Sequence, residues 1–184
     1  MKWLLFTYWL PAEPSRKRVF VWRQLKKLGA LAMEGAGWLL PGLEPFSAKI
    51  MDVMRTVEEL EGTSNLYKVT DFNEAQEQRT VTRFQRERER EYAELTKECH
   101  KMMHHMERER QQQEFNFEEV QELESDLGKI ARWFSEAKER DAWDIAARKE
   151  VESLITQAEV DLAAFTQETY DRLQVSKKES ENSF

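Results

Sequence analysis

The sequence predicts an α+β protein, with a ferredoxin-like β-α-β-β-α-β unit followed by an all-helical part of about three long antiparallel helices. Over residues 1–71, short aromatic and aliphatic runs alternate with two segments whose apolar positions recur every three or four residues. After residue 72 the helical spacing continues almost without interruption. We therefore expect an α/β domain at residues 1–71, a helical domain at 72–175 and a flexible polar tail at 176–184.

The elements of the first domain follow from the positions of proline and glycine. Residues 2–10 lack a helical period and are typical of a buried strand. Pro14 precedes Ser15, which we expect to cap a basic helix, and Gly29 is a natural stop for that helix. The predicted elements, in chain order, are residues 2–10, 15–28, 30–34, 38–41, 44–60 and 65–69. Such a unit places both helices on one face of the sheet, so the other face needs a cover, either a second copy or the rest of the chain.

The basic helix carries six positive charges, with no acidic residue between the first and the last. These cations are Arg16, Lys17, Arg18, Arg23, Lys26 and Lys27. Helical spacing predicts that Val19, Trp22 and Leu25 pack against the sheet, which leaves Arg16, Arg23 and Lys27 facing outward. A solvated helix surface normally mixes charge signs. The pattern is therefore compatible with a nucleic-acid face or another anion site as well as with a solvated face.

The charge is unevenly distributed along the chain. The net charge is −7, which by itself argues against generic nucleic-acid binding. However, residues 1–71 carry ten basic against eight acidic side chains, whereas residues 72–184 carry 18 against 27. Any anion-binding role therefore belongs to the first domain.

Three apolar series predict the three long helices, at residues 81–106, 117–137 and 147–165. Arg88 occupies a position in the first series that an apolar residue would otherwise fill. A guanidinium at such a position needs a buried carboxylate or a bound oxyanion as its partner. The alternating charges of residues 83–91 are typical of a solvent-exposed helix with ion pairs along it.

A segment rich in cysteine, histidine and methionine allows two interpretations. His100 and His104 are four residues apart and would share a helix face, as paired metal ligands do, and Cys99 is a soft ligand beside them. Alternatively, Cys99 and the methionines continue the apolar series and form the core, with the histidines at its edge. We favour the core interpretation, because a metal site also needs a third ligand from elsewhere.

No catalytic constellation is found in the sequence, which has no glycine-rich phosphate loop, nucleophile elbow, H-E-x-x-H or C-x-x-C motif. We therefore expect no enzymatic activity and no obligatory cofactor. A single cysteine excludes an intramolecular disulfide and suits a reducing compartment. The N-terminal apolar run is short and lacks a cleavage site, and no stretch reaches the length of a membrane helix. We expect a cytoplasmic protein.

Several stretches resemble one known family. Residues 3–30, WLLFTYWLPAEPSRKRVFVWRQLKKLGA, and residues 37–41, GWLLP, resemble the N-terminal domain of the chromate-resistance regulator ChrB. Residues 115–134, FNFEEVQELESDLGKIARWF, and residues 140–144, RDAWD, are similar to the helical part of that domain. The resemblance therefore covers nearly the whole chain.

The resemblance implies a bacterial, dimeric, cytoplasmic protein of chromate-responsive transcription whose N-terminal region contacts DNA. The residues to which it assigns phosphate contact or chromate sensing are Arg18, Trp22, Arg23, Lys26 and Lys27. Longer family members carry a C-terminal domain that nothing here matches. The chain would then regulate alone or need a separately encoded partner. The first 70 residues are more distantly similar to the small nucleases of CRISPR adaptation, but residues 7–11 lack their acidic residue.

Three hypotheses about function follow. The first is a non-enzymatic, DNA-binding regulator or accessory protein of chromate resistance. The second is a sensor of chromate or a metal without DNA contact, in which Arg88, Cys99, His100 and His104 are the binding residues. The third is a structural module whose helices pack on another protein.

Overall fold

The computed structural model describes residues 2–35 and 37–181 of the chain. Residues cluster into two compact units, Met1–Gln85 and Arg86–Phe184. The elements of the described residues are β1 Trp3–Trp9, α1 Ser15–Lys27, β2 Leu31–Met33, β3 Gly37–Pro41, α2 Glu44–Glu59, β4 Thr63–Val69, α3 Glu74–Gln112, α4 Phe117–Glu139 and α5 Ala147–Glu181. The α+β class and the predicted order of elements are confirmed.

The first unit is built on a sheet in which four described strands lie in the order β2-β3-β1-β4, with every neighbouring pair antiparallel. This order is consistent with the ferredoxin-like arrangement. Strand β1 lies in the interior of the sheet, and Phe6 pairs with Trp38 on one side and with Leu66 on the other. At the start of β3, a Cβ on Gly37 would lie 2.4 Å from the Phe6 carbonyl oxygen, so only glycine fits this close approach.

Strand β1 contributes buried side chains to both faces of the sheet. The Trp3 indole N–H donates to Glu77 Oε1 at 2.8 Å, and the Trp3 ring stacks on Phe84, so the first turns of α3 cover this end of one face. Side chains alternate along a strand, so Leu4 and Phe6 point to the opposite face. There they join a core to which α1 and α2 contribute Val21, Leu25, Phe46, Ile50, Val53 and Val57.

Two expectations about α1 are wrong. The residue that precedes the helix as its N-cap is Pro14, with no side-chain cap hydrogen bond, and Ser15 is already the first helical residue. The buried residues are Val21 and Leu25, whereas Val19 and Trp22 are exposed. Apolar residues occur on two sides of this helix, and the sheet packs against the side that contains Val21.

The second unit contains three long helical segments with a shared apolar core. The buried residues of the three helices include Tyr92, Leu95, Cys99, Met102 and Met106 from α3, Val120, Leu123, Ile130, Phe134 and Ala137 from α4, and Val151, Ile155, Ala158, Leu162 and Phe165 from α5. These residues belong to the three predicted apolar series, so the three helices are confirmed, although Phe117, the first member of the second series, is exposed. Helix α5 continues as far as Glu181, which includes the first residues of the expected tail, and residues 182–184 lie outside the described part.

Polar side chains fix the two turns of this unit. Asn116 caps α4, because its side-chain oxygen accepts a hydrogen bond from Glu119 N at 2.8 Å. Asp141, in the turn before α5, accepts from the backbone of Trp143 and of Ile145, and from the Tyr92 hydroxyl at 3.1 Å. Burial and the neighbouring Asp141 both raise the pKa of Tyr92. The Asp141 carboxylate therefore ties the α4–α5 turn to α3.

Candidate nucleic-acid interface

The side of α1 that points away from the sheet carries both cations and apolar side chains. We call this side the outward face of α1, and its residues are Arg16, Val19, Phe20, Trp22, Arg23, Lys26 and Lys27. Four of these residues follow one another at helical spacings of four, three and four, namely Arg16, Phe20, Arg23 and Lys27. They form a row about 16 Å long on the side of the helix opposite the buried Val21.

The apolar members of the outward face are half exposed. Val19 is 44%, Phe20 51% and Trp22 47% exposed to solvent. Val19 and Trp22 are three residues apart and are neighbours on the helix surface, whereas Phe20 lies on the other side of Val19. Exposed apolar side chains of this size commonly mark a contact surface. Because they lie between guanidinium and ammonium groups, the outward face offers both charge attraction and apolar contact to a partner.

The cations of α1 differ in how they are used within the first unit. Lys17 turns inward and pairs with Glu61 Oε2 at 2.9 Å and with the Leu60 carbonyl oxygen at 3.2 Å. Arg18 lies close to Tyr8, where burial raises the pKa of the phenol and the guanidinium partly opposes this. Arg16, Arg23 and Lys26 have no hydrogen bond or ion pair to any residue that the structure describes. They are therefore available to an external anion.

The first turn of α1 is electrostatically unfavourable to the helix itself. It contains Arg16, Lys17 and Arg18 and no acidic residue, although the partial positive charge of a helix N-terminus favours acidic side chains there. Beside it lies a shallow groove of about 610 Å³, lined by Ser15, Arg16, Lys17, Val19, Phe20, Arg23 and Leu60. Arg16 pairs with no described residue and lies both at this helix N-terminus and beside the groove, which is an arrangement that attracts anions.

Arg88 lies in a different environment, inside the second unit. Its guanidinium pairs with the Glu91 carboxylate. The same carboxylate also pairs with the Arg140 guanidinium and accepts a hydrogen bond from the Trp133 indole N–H at 3.0 Å. We call Arg88, Glu91, Trp133 and Arg140 the Glu91 network. Burial lowers the pKa of Arg88, and the Glu91 carboxylate opposes this. The sequence allowed either a buried carboxylate or a bound oxyanion as the partner of Arg88, and the structure contains the carboxylate of Glu91. An oxyanion at Arg88 would have to displace this carboxylate.

The three metal-ligand candidates of the sequence do not converge. Cys99 is fully buried in the core of the second unit, and burial raises the pKa of its thiol. His100 and His104 are both exposed. Cys99 therefore packs as a core residue, as the preferred interpretation expects.

A group that the sequence did not suggest is formed by His105, Glu109 and Glu119. Glu109 continues the apolar series three residues after Met106, and its side chain is only 6% exposed. A charged residue at a core position was the signal that pointed to Arg88, and the same signal applies to Glu109. Glu119 comes from the next helix, and no sequence spacing would have linked it to the other two.

The comparisons with known proteins give one family. The family model described as Protein ChrB, N-terminal, matches residues 18–176. The chain belongs to the ChrB N-terminal family. The match begins at Arg18, inside α1, covers α3 and α4, and ends at residue 176 within α5. No match was found among curated proteins or among solved structures.

Membership of the ChrB family suggests that the chain is involved in the regulation of chromate resistance. This family is regulatory or accessory rather than catalytic. The residues that the resemblance singled out, Arg18, Trp22, Arg23, Lys26 and Lys27, all lie within the matched region. Within the described part of the chain, none of the helices combines the length and the apolar character that crossing a membrane requires.

Proposed function

We propose that this ChrB-family chain acts in chromate-responsive transcription by binding DNA phosphates through the outward face of α1. The observation that carries the proposal is the coincidence, on one helix face, of Arg16, Arg23 and Lys26, which pair with no described residue, with exposed aromatic side chains. Each alone has a simpler explanation, because solvated cations and single exposed aromatics are common on protein surfaces. Their combination on the helix that opens the family match supports a binding role.

The charge distribution favours a local rather than a general attraction to nucleic acid. The whole chain has a net charge of −7, which would repel a polyanion, whereas α1 has six cations and no acid. The row from Arg16 to Lys27 spans about 16 Å, long enough to contact several phosphates in succession. Each neutralised phosphate releases counterions, so the affinity should fall steeply with salt.

The exposed aromatics add the part of the contact that does not depend on charge. Phe20 lies within the row of cations, and Trp22 lies near Arg18 and Lys26 in the helix. Aromatic side chains contribute apolar contact to sugars and to exposed base edges, and stack on bases that are unpaired. We therefore expect Trp22→Ala to weaken binding with little change in its salt dependence.

The test measures binding of the full chain to a fluorescent DNA duplex from the region upstream of its own gene, at about 50 mM salt. The charge variant is Arg16→Ala, Arg23→Ala and Lys26→Ala combined. The matched control removes the same charge from exposed arginines outside α1, as Arg55→Ala, Arg90→Ala and Arg132→Ala combined. We expect the charge variant to bind at least about tenfold more weakly than the control.

Two outcomes would contradict the proposal. Equal affinity of the two triple variants would mean that the attraction does not come from α1. Absence of binding by the wild-type chain, together with a protein complex that Trp22→Ala disrupts, would assign the outward face to a protein partner instead. The dimeric state, the cytoplasmic location and a separately encoded partner stay predictions.

A further inference from the structure

We propose that His105, Glu109 and Glu119 form a binding site for a divalent transition-metal ion, with Zn²⁺ as the probe, that links α3 to α4. The site lies in the second unit and shares no residue with the outward face of α1. His105 and Glu109 are one helical turn apart on α3, and Glu119 lies in the first turn of α4. An imidazole nitrogen with two carboxylates is a donor set that such ions bind.

The distances fit a small ion. One ligand atom from each residue lies within 4.8 Å of the others. His105 Nε2 is 3.4 Å from Glu109 Oε1 and 2.8 Å from Glu119 Oε1. Tetrahedral Zn²⁺ with bonds of about 2.0–2.1 Å places its ligand atoms about 3.3 Å from one another. The first distance already has this value, and the second needs an opening of only about 0.5 Å.

Glu119 provides an independent observation. Its Oε1 atom is buried and accepts no hydrogen bond from any group that the structure describes, although His105 Nε2 is close to it. Glu119 is also the third helical residue after the cap Asn116, where a glutamate commonly reaches back to the cap backbone N–H. In the described part of the chain Glu119 makes no such bond, and its carboxylate instead approaches His105. Apart from this contact with His105, no described group donates to the buried oxygen, and a bound cation would supply the partner that it needs.

The surroundings suit a metal that keeps an accessible coordination position. Arg108 donates to Glu109 Oε1 at 3.0 Å and is 58% exposed, so it can hold the carboxylate in place or move aside. Beside the group lies a cleft of about 860 Å³, and its lining includes His105, Arg108 and Met102. Three protein ligands with a neighbouring cleft leave room for a water molecule or an anion as the fourth ligand.

The experiment titrates Zn²⁺ into the full chain by calorimetry after removal of metals with a chelator. The ligand variants are His105→Ala and Glu119→Gln. The matched controls are His104→Ala, the exposed neighbouring histidine, and Glu124→Gln, an exposed glutamate of α4. We expect one ion per chain, binding weakened at least about 100-fold in either ligand variant, and affinity unchanged in both controls.

A second measurement does not depend on whether the variants fold. Co²⁺ bound to the wild-type chain should give visible d–d bands without a thiolate charge-transfer band, since Cys99 is not a ligand in this proposal. Absence of Zn²⁺ binding would mean that His105 and the two glutamates interact only with protein groups, and would overturn the proposal. Binding lost in His104→Ala but kept in His105→Ala, or a thiolate band with Co²⁺, would place the metal elsewhere.

Discussion

Cations on the outward face of α1 and cations in the Glu91 network have opposite surroundings. Arg88 and Arg140 are nearly buried and share the carboxylate of Glu91. Arg16 and Arg23 are exposed and pair with no residue that the structure describes. The two buried arginines would strongly destabilise the fold if their carboxylate partner were removed, whereas the two exposed arginines are solvated by water.

This difference separates residues that maintain the fold from residues that are available for binding. Arginine is common in both roles, so its presence in the sequence does not distinguish them. The partner distinguishes them, because a buried guanidinium is retained only with a carboxylate beside it. The comparison therefore predicts large losses of stability in the Glu91 network and losses of binding, with little loss of stability, on the outward face of α1.

The largest effect on stability is expected for Glu91→Ala. This change leaves Arg88 and Arg140 without their shared carboxylate and removes the acceptor of the Trp133 indole N–H. We expect a loss of about 3–5 kcal/mol in the free energy of unfolding, measured by urea denaturation. The control Glu94→Ala, at an exposed position of α3, should change it by less than about 0.5 kcal/mol. Equal losses in the two variants would remove the distinction on which the comparison rests.

The next effect contrasts two apolar residues of α1. Leu25 is fully buried, so Leu25→Ala should lower the free energy of unfolding by about 2–4 kcal/mol. Trp22 is half exposed, and Trp22→Ala should cost less than about 1 kcal/mol while weakening DNA binding. Thermal unfolding and the DNA-binding assay measured on both variants check this. A large loss of stability in Trp22→Ala would mean that the indole is a core residue.

The smallest effect concerns Lys17, an α1 cation that pairs with Glu61 inside the first unit. The hydrogen bond from Lys17, and then its charge, lower the pKa of Glu61. A carboxylate with a lowered pKa in the folded state stabilises the fold above its unfolded pKa, and loses this contribution as the pH falls through the folded value. The wild-type chain should therefore be more stable than Glu61→Gln at pH 7, and the two should become equal once the pH is low enough to protonate Glu61 in the folded state. In a Lys17→Met background the difference at pH 7 should disappear.

The elements of this fold were predictable because each has a regular spacing of apolar residues or is ended by a proline or glycine. Most members of the three helical series are buried as predicted, with Phe117 as an exposed exception, and Arg88 has the carboxylate partner that its position required. The buried side of α1 was not predictable, because positions 19 and 22 and positions 21 and 25 both fit a helical stripe. Only the position of the sheet decides between them, and it leaves Trp22 exposed.

The candidate sites likewise could not be predicted fully from residue spacing within one helix. A spacing of four residues within one helix suggested His100 and His104, whereas the group that converges combines His105 and Glu109 with Glu119 from the next helix. Contacts between helices depend on how the helices pack, which spacing within one helix does not encode. Glu109 at a core position was the part of this group that the sequence did display.

The most direct test of the account is the salt dependence of DNA binding, measured for the wild-type chain and the two triple variants described above. A plot of log K against log salt concentration has a slope proportional to the number of phosphates that are neutralised. If Arg16, Arg23 and Lys26 contact phosphates, their replacement should make the slope less steep by about 2–3, and the control triple should keep the wild-type slope. Parallel plots for all three proteins would contradict the claim that the outward face of α1 meets the DNA backbone.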